Sequence, residues 1–267
     1  MNTTHQYKYK QTVLITGAAN GIGYELAYIF ARNNYNLVLV DIMAQKLADV
    51  ADKIRQQFDI FVKPIVKDLS IKTSPEEIFT ELQQESIQID VLVNNAGFGI
   101  YGLFNETNLN TELDMLQVNL VSLTHLTKLF LKQMVKKGEG KILNLSSAAA
   151  FQPGPLMAVY FATKAYILSF SQALASELEG TGVTVTALCP GPTESAFHER
   201  TGVAGAKQVE NNHMMNAETV AKIGYRALME GKTVAIPGLK NKILAEMVRF
   251  TPRNLVTKIV KNMQEIK

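Results

Sequence analysis

The sequence predicts an α/β fold, one doubly wound parallel sheet of about seven strands with helices on both faces. Three observations predict it. Short apolar runs alternate with helix-spaced segments along the chain. The runs are continuous rather than alternating, as in strands buried on both faces. No internal repeat or long linker breaks the order between residues 12 and 238, which reads as a single domain.

Residues 1–11 are polar and are expected to fray. Thr12 to Ile15 is the first strand, and Thr16-Gly17 ends it. Residues 22–32 follow as a helix, with Ile22, Leu26, Ile29 and Phe30 on one face. Leu37 to Val40 is the second strand; then come a helix near 44–58, a strand near 61–66, a helix near 75–85 and a strand at Val91 to Val93. Helical spacing runs on from 111 to 137, ahead of a strand at Ile142 to Leu145. A helix over 158–180, a strand over 183–188, a helix over 217–230 and a short strand at Val234 to Ile236 complete the domain. Residues 190–216 form a long connection near the sixth strand, read as a substrate lid because long loops in compact domains are usually functional or disordered. Residues 239–267 form a helical extension. Its apolar positions are Ile243, Leu244, Met247 and Val248, then Leu255, Ile259, Val260 and Met263, and Pro252 divides it into two short helices.

The composition excludes several classes. With 47% hydrophobic and 19% charged residues in 267, the chain has material for a large core, not for disorder, collagen or coiled coil. A net charge of +3 is too small a surplus to argue for nucleic acid, which needs clustered cations. Cys189 is the one cysteine, so no internal disulfide forms, and no cysteine or histidine has a second ligand at metal spacing. A reduced compartment is expected. The start lacks an apolar signal region, and no run approaches the roughly 18 apolar residues that span a bilayer, so the expected location is cytoplasmic.

The first strand-to-helix turn, Thr16 to Gly23, is glycine-rich. A pyrophosphate on a helix N-terminus needs bare backbone N–H groups within reach, and a Cβ there would hold it off. Gly17 permits the tight turn; Gly21 and Gly23 allow close approach to ligand and strand. Three residues separate Gly17 from Gly21, so the spacing differs from the usual dinucleotide loop, and a plain glycine-rich turn is the alternative. Asp41 ends the second strand 18 positions beyond Gly23, near the place where a carboxylate accepts both ribose hydroxyls. That carboxylate would repel a 2′-phosphate, and Asn20 and Ile42 bring no compensating cation, so NAD(H) is preferred over NADP(H). Simple capping of the following helix is the alternative for Asp41.

Tyr160 and Lys164 are four apart in a helical segment, so phenol and ammonium share a face. A free phenol, with a pKa of about 10, is a poor base at neutral pH. A neighbouring cation favours the phenolate and would let Tyr160 exchange a proton with a substrate hydroxyl. A surface helix pair is the alternative. Ser146 and Ser147 follow the fifth strand at its carboxyl end, where a hydroxyl can donate to an oxygen gaining charge, and Asn94 to Gly97 follow the fourth strand at the same end.

In these motifs and their order the sequence resembles the short-chain dehydrogenases/reductases of about 250 residues, over residues 12 to about 237. The family's Thr-Gly-x-x-x-Gly-x-Gly matches Thr16 to Gly23, and its Asn-Asn-Ala-Gly matches residues 94–97. Its catalytic Tyr-x-x-x-Lys matches Tyr160 and Lys164, and its serine, thirteen residues before the tyrosine, matches Ser147 rather than Ser146. The resemblance implies a Rossmann-type oxidoreductase that interconverts a secondary alcohol and a ketone by hydride transfer with a nicotinamide cofactor. It implies Tyr160 as general acid/base, with Lys164 lowering its pKa and binding the nicotinamide ribose. Ser147 would orient the substrate oxygen, and Asn119 would hold a water that links Lys164 to solvent. The implied cofactor contacts are Gly17, Asn20, Gly21, Ile22 and Gly23 in the loop, Asp41, Asp68 at the adenine, and Asn95, Ala96 and Gly97 along the adenosine side. Pro190, Gly191, Thr193 and Ser195 would face the nicotinamide; Ser195 stands where the family usually has threonine.

Quieter features have quieter readings. Cys189 is a small buried residue, and no role as a ligand is expected of His5, His125, His198 or His213. Phe98, Phe151, Met157 and Phe197 are candidates for an apolar substrate pocket. The tail interleaves Lys and Arg with apolar positions. Packing on its own domain or a subunit neighbour is the favoured reading, and a helix pair on a membrane surface the alternative. Family resemblance implies a homodimer or homotetramer. A nucleotide-sensing protein without turnover is the competing function; it would more naturally have lost Ser147, Tyr160 or Lys164, and all three are present.

Overall fold

A computed structural model describes residues 10–194 and 214–264. Seven parallel strands form one sheet in the order β3-β2-β1-β4-β5-β6-β7. They are β1 Thr12–Thr16, β2 Asn36–Asp41, β3 Val62–Val66, β4 Val91–Asn94, β5 Gly140–Leu145, β6 Val183–Leu188 and β7 Val234–Ala235. The helices are α1 Gly21–Arg32, α2 Ala44–Gln57, α3 Ser74–Gln84, α4 Leu109–Leu116, α5 Leu123–Lys137, α6 Ala158–Glu177, α7 Ala217–Met229, α8 Leu239–Met247 and α9 Arg253–Gln264.

The continuous apolar strand runs are explained by cores on both faces. Val13, Ile15, Leu37, Leu39, Val91 and Val93 pack with α1, α2 and α7 on one side. Leu14, Val38, Val40, Leu92 and Ile142 pack with α3, α5 and α6 on the other. Burying a side chain of this kind contributes about 1.5–3 kcal/mol. Pro64, which cannot donate to a ladder, sits in β3 at the edge of the sheet. Strand order reverses between β1 and β4, and the crevice at their carboxyl ends is where open α/β sheets bind ligands.

Two elements differ from expectation. The helix expected over 111–137 is broken by a π-helical turn, Gln117–Ser122, between α4 and α5. Polar side chains account for the break: Gln117, Asn119 and Ser122 are all buried there, and the Ser122 hydroxyl donates to the Leu69 carbonyl at 2.7 Å. The helix expected to reach 180 stops at Glu177. In the 190–216 connection the lid expectation falls mostly on 195–213, outside the described residues. The two described ends are pinned together: the Glu194 N–H donates to the Met215 carbonyl at 2.9 Å and the Met215 N–H to the Pro192 carbonyl at 3.0 Å. The tail folds as two helices, with Thr251 and Pro252 between a short 3₁₀ turn and α9.

Candidate active site

The crevice is a cleft of about 630 Å³. Gly17, Asn20, Gly21, Ile22, Asp41, Asp68, Asn95, Ala96, Gly97, Ser147, Tyr160, Lys164, Pro190, Gly191 and Thr193 all line it. Two expected residues do not. Gly23 and Asn119 stand one layer behind the wall, and Ser195 lies outside the described residues.

At the glycine loop, Gly17 has a left-handed backbone, φ +67°. Gly23 is required for a different reason: a Cβ there would run into the Gly17 carbonyl and the Asn95 amide. Helix α1 begins at Asn20 without a side-chain cap and with no acidic residue in its first turn, so the positive end of its dipole faces the cleft. The Asn95 amide donates to the Thr16 and Gly17 carbonyls, both at 2.9 Å, and the Asn95 and Ala96 N–H groups donate to the Thr16 hydroxyl at 3.0 Å. The segment after β4 thereby holds the loop in shape. Asp41 is buried at the end of β2; its carboxylate accepts from the Ala19 N–H at 2.9 Å and from the Met43 N–H at 3.0 Å. The second bond closes a local turn two residues on, ahead of α2, whose N-cap Met43 makes no side-chain cap bond, and the first ties the carboxylate to the glycine loop. Asp68 makes a tight turn, accepting from the Ser70 N–H at 2.8 Å.

At the other end of the cleft the two serines separate. The Ser146 hydroxyl, buried, is committed to the Lys164 carbonyl at 2.8 Å. The Ser147 hydroxyl hydrogen-bonds the Tyr160 phenol and accepts from the Ala149 N–H at 3.1 Å. The Lys164 ammonium donates to the Leu145 carbonyl at 2.9 Å and lies 5.6 Å from the centre of the Tyr160 ring. One turn of α6 thus brings serine, phenol and amine together, as the spacing requires.

The expected phenolate draws on Lys164 together with a bound oxidised nicotinamide; in the protein alone burial pushes Tyr160 up to about 12, with the Ser147 bond pulling the other way. Burial also pushes Lys164 down to about 8, against a small opposing pull from Cys189. Desolvation is the largest cause of both shifts, because both groups stand buried at the floor of the cleft. Cys189 is fully buried and its thiol is pushed up to about 12, which fits an inert packing residue.

Asn119 sits in the π-helical turn and is buried. Its amide accepts from the Phe98 N–H at 3.1 Å, donates to the Phe98 carbonyl at 2.9 Å and donates to the Thr163 hydroxyl at 3.2 Å. The side chain clamps the loop after β4 to α6 beside Lys164.

Phe98 and Met157 line the cleft, while Phe151 packs instead against Leu168, Ala187 and Cys189, and Phe197 lies outside the described residues. The tail was expected to help shape the pocket, with no residue of it named; the structure brings α9 to this wall. Val256 and Val260 pack with Met157 and Phe161 beside Tyr160, and the buried Gln264 reaches the cleft, its carbonyl accepting from the Tyr101 hydroxyl at 2.8 Å. The signal was available: 256, 260 and 264 make one row at i, i+4 and i+8.

A family model described as short chain dehydrogenase matches residues 11–205. The chain belongs to the short-chain dehydrogenase family. It is accordingly an oxidoreductase. This short-chain dehydrogenase is similar to an uncharacterised oxidoreductase of Staphylococcus epidermidis, 31% identical over 212 residues that cover 79% of this chain and 90% of that one. It is similar to a very-long-chain 3-oxoacyl-CoA reductase of Rattus norvegicus, 32% identical, covering 89% and 76%. Among solved structures it resembles a short-chain dehydrogenase from Sphingobium yanoikuyae in complex with NADPH, with a TM-score of 0.82 and 29% identity over 92% and 94% of the two chains. Among its described residues, the dehydrogenase has no cluster of His, Cys, Asp or Glu suited to a metal and no helix long and apolar enough to cross a membrane.

Proposed function

We propose that this protein interconverts an apolar secondary alcohol and its ketone with a nicotinamide cofactor, NAD(H) in preference to NADP(H), and that Tyr160 carries the proton. The meeting of Ser147, Tyr160 and Lys164 on the floor of one cleft carries this reading. The cleft also suits the cofactor. A Cβ at Gly17 or Gly23 would run into Asn95 and the neighbouring backbone, so these glycines let the loop keep its tight shape, and the uncapped N-terminus of α1 favours a pyrophosphate. Gly17, Asn20, Gly21 and Ile22 would hold the pyrophosphate and Asp41 the adenosine ribose. Asp68, Asn95, Ala96 and Gly97 would flank the adenosine side. Pro190, Gly191 and Thr193, with Ser195 beyond the described residues, would hold the nicotinamide, and Lys164 its ribose. A bound nicotinamide supplies or accepts the hydride.

The chain's own residues do the rest. The Ser147 hydroxyl orients the substrate oxygen and donates to it as charge develops. Tyr160, protonated at neutral pH, gives its proton to that oxygen when a ketone is reduced. Lys164, with a pKa of about 8, stands ready to return a proton to the phenolate, becoming the neutral amine. The Asn119 side chain is fully engaged with protein groups, so a relay water beside it would rest on the backbone of the π-helical turn. Met157 and Phe161, backed by Val256 and Val260, give the substrate end an apolar wall, with Gln264 as its polar spot. That wall supports a bulky apolar substrate.

A substrate panel of ketones and secondary alcohols, read by NADH absorbance, tests the reading. Turnover that is lost in Tyr160→Phe while NADH still binds supports it; equal turnover in that variant overturns it.

A further inference from the structure

The C-terminal extension covers the cleft with one face and leaves another apolar face outside. On α9 the buried row is Val256, Val260 and Gln264. The next row around the helix, Leu255, Ile259 and Met263, is exposed. Helix α8 repeats the pattern with Leu239, Ile243 and Met247, of which Leu239 is 74% exposed. Phe250, in the turn between the helices, is 88% exposed. Eight of the eighteen large apolar side chains exposed among the described residues fall in this short extension, so the surface is concentrated rather than scattered.

Charge is concentrated in the same place. Seven of the 27 Lys and Arg and two of the 24 Asp and Glu lie in residues 239–267, so this segment carries +5 and the rest of the chain −2. Lys258 and Lys261 on α9, Lys242 on α8, and Arg249 and Arg253 beside the turn are exposed. Exposed apolar rows edged by long cationic side chains suit an interface whose inside is hydrocarbon and whose edge is anionic.

We propose that α8 and α9 form a docking face for an anionic lipid bilayer. The helices lie in the headgroup plane, with the two exposed rows in the acyl boundary and the cations at the phosphates. Lying on the surface, not crossing it, follows from the helices: among the described residues none is long and apolar enough to span. Charge complementarity selects this occupant over a second copy of the chain. A two-fold dimer through this face would set the same cationic surface against itself. Nucleic acid would satisfy the cations and leave the apolar rows wet. Docking also has a consequence for the cleft. Helix α9 is about 10 Å across; its Gln264 lines the cleft and its Val256 and Val260 back Met157 and Phe161, so the bilayer lies about one helix width from the apolar end of the cleft. The docking face holds whether or not the proposed chemistry does, because its test reads binding and not turnover.

The test is co-sedimentation of the full chain with vesicles of phosphatidylcholine alone and of phosphatidylcholine with phosphatidylserine. Binding to the anionic vesicles is expected to be about tenfold stronger or more. It should weaken as salt shortens the Debye length from about 10 Å at 0.1 M to about 3 Å at 1 M. The triple variant Leu255→Ser, Ile259→Ser, Met263→Ser and the double variant Lys258→Glu, Lys261→Glu should each lose about tenfold or more in partitioning. Both sets are exposed, so melting temperatures close to that of the parent serve as the folding control, and the α8 set Leu239→Ser, Ile243→Ser, Met247→Ser repeats the test if the first variant fails it. Absence of vesicle binding, equal binding to neutral and anionic vesicles, or undiminished binding by the folded variants would overturn the proposal. So would a dimer that the serine variant converts to monomer in sedimentation velocity, because that result assigns the face to a second copy.

Discussion

Replacing Asp41 tests the cofactor preference most directly. The carboxylate is buried at the end of β2 and held by two backbone N–H groups, from Ala19 and Met43. It cannot easily swing aside, so a 2′-phosphate arriving at the adenosine ribose meets a fixed negative charge. At a separation of roughly 4 Å and an effective dielectric near 20, each unit of phosphate charge is repelled by about 4 kcal/mol, a ceiling of about a thousandfold in affinity. Asp41→Asn removes the charge. It also damages the loop, because one of the two N–H groups then faces an amide NH₂; hydrogen bonds to a charged group contribute about 1.5–3 kcal/mol. That damage weakens both cofactors alike and cancels in the ratio of their dissociation constants. The assay is therefore the fluorescence titration of NADH and of NADPH into wild type and variant. The expected result is a wild type that favours NADH and a variant whose NADH/NADPH ratio shifts toward NADPH by between tenfold and about a thousandfold. A ratio that stays within about twofold, or a wild type that favours NADPH, would refute the electrostatic argument.

Other perturbations read other parts of the site. Tyr160→Phe removes the proton donor and should lower turnover by about 10²–10⁴, with the NADH dissociation constant changed little in a titration. Lys164 binds fewer protons folded than unfolded between about pH 8 and its ordinary value of 10.5, so its ionisation costs stability at neutral pH and stops costing it as pH rises through that window. The stability gained by Lys164→Met relative to wild type should thus shrink by something on the order of 3 kcal/mol between pH 7 and pH 10.5, measured by urea unfolding; a pH-independent difference would count against the buried amine. Tyr160 contributes the opposite slope at higher pH, because its folded pKa of about 12 lies above its ordinary value of 10.0 and stability falls as pH climbs between them. Gly23→Ala places a methyl group against the Gly17 carbonyl and should cost about 1–3 kcal/mol in thermal or urea unfolding and weaken NADH binding; an unchanged variant would show that the loop yields. Gln264→Leu should change KM across a panel of ketones while leaving NADH affinity alone; a change in cofactor affinity instead would place Gln264 at the wrong end of the cleft.

The order of strands and helices, the two-faced burial of the strands and the position of the crevice follow from local sequence. Continuous apolar runs such as Leu37 to Val40 can be buried only between two layers, and a glycine loop between β1 and α1 has few other uses. The same holds for the Tyr160–Lys164 pair, whose proximity is a property of helical pitch. What the sequence left open was decided by contacts between residues distant along the chain. The break in the helix after α4 depends on buried bonds from Asn119 to Phe98 and from Ser122 to Leu69. The choice between Ser146 and Ser147 was read from resemblance alone; in the folded protein one hydroxyl meets the Lys164 backbone and the other the Tyr160 phenol. The ionisation of Tyr160 and Lys164 in the protein alone was not legible, because sequence shows the neighbouring charge but not the depth of burial, and burial is the largest cause of both shifts. Gln264 reaches the cleft over more than a hundred residues from Tyr160, a distance that periodicity cannot bridge: a helical pattern states which residues share a face, and only the packed structure states what that face is laid against.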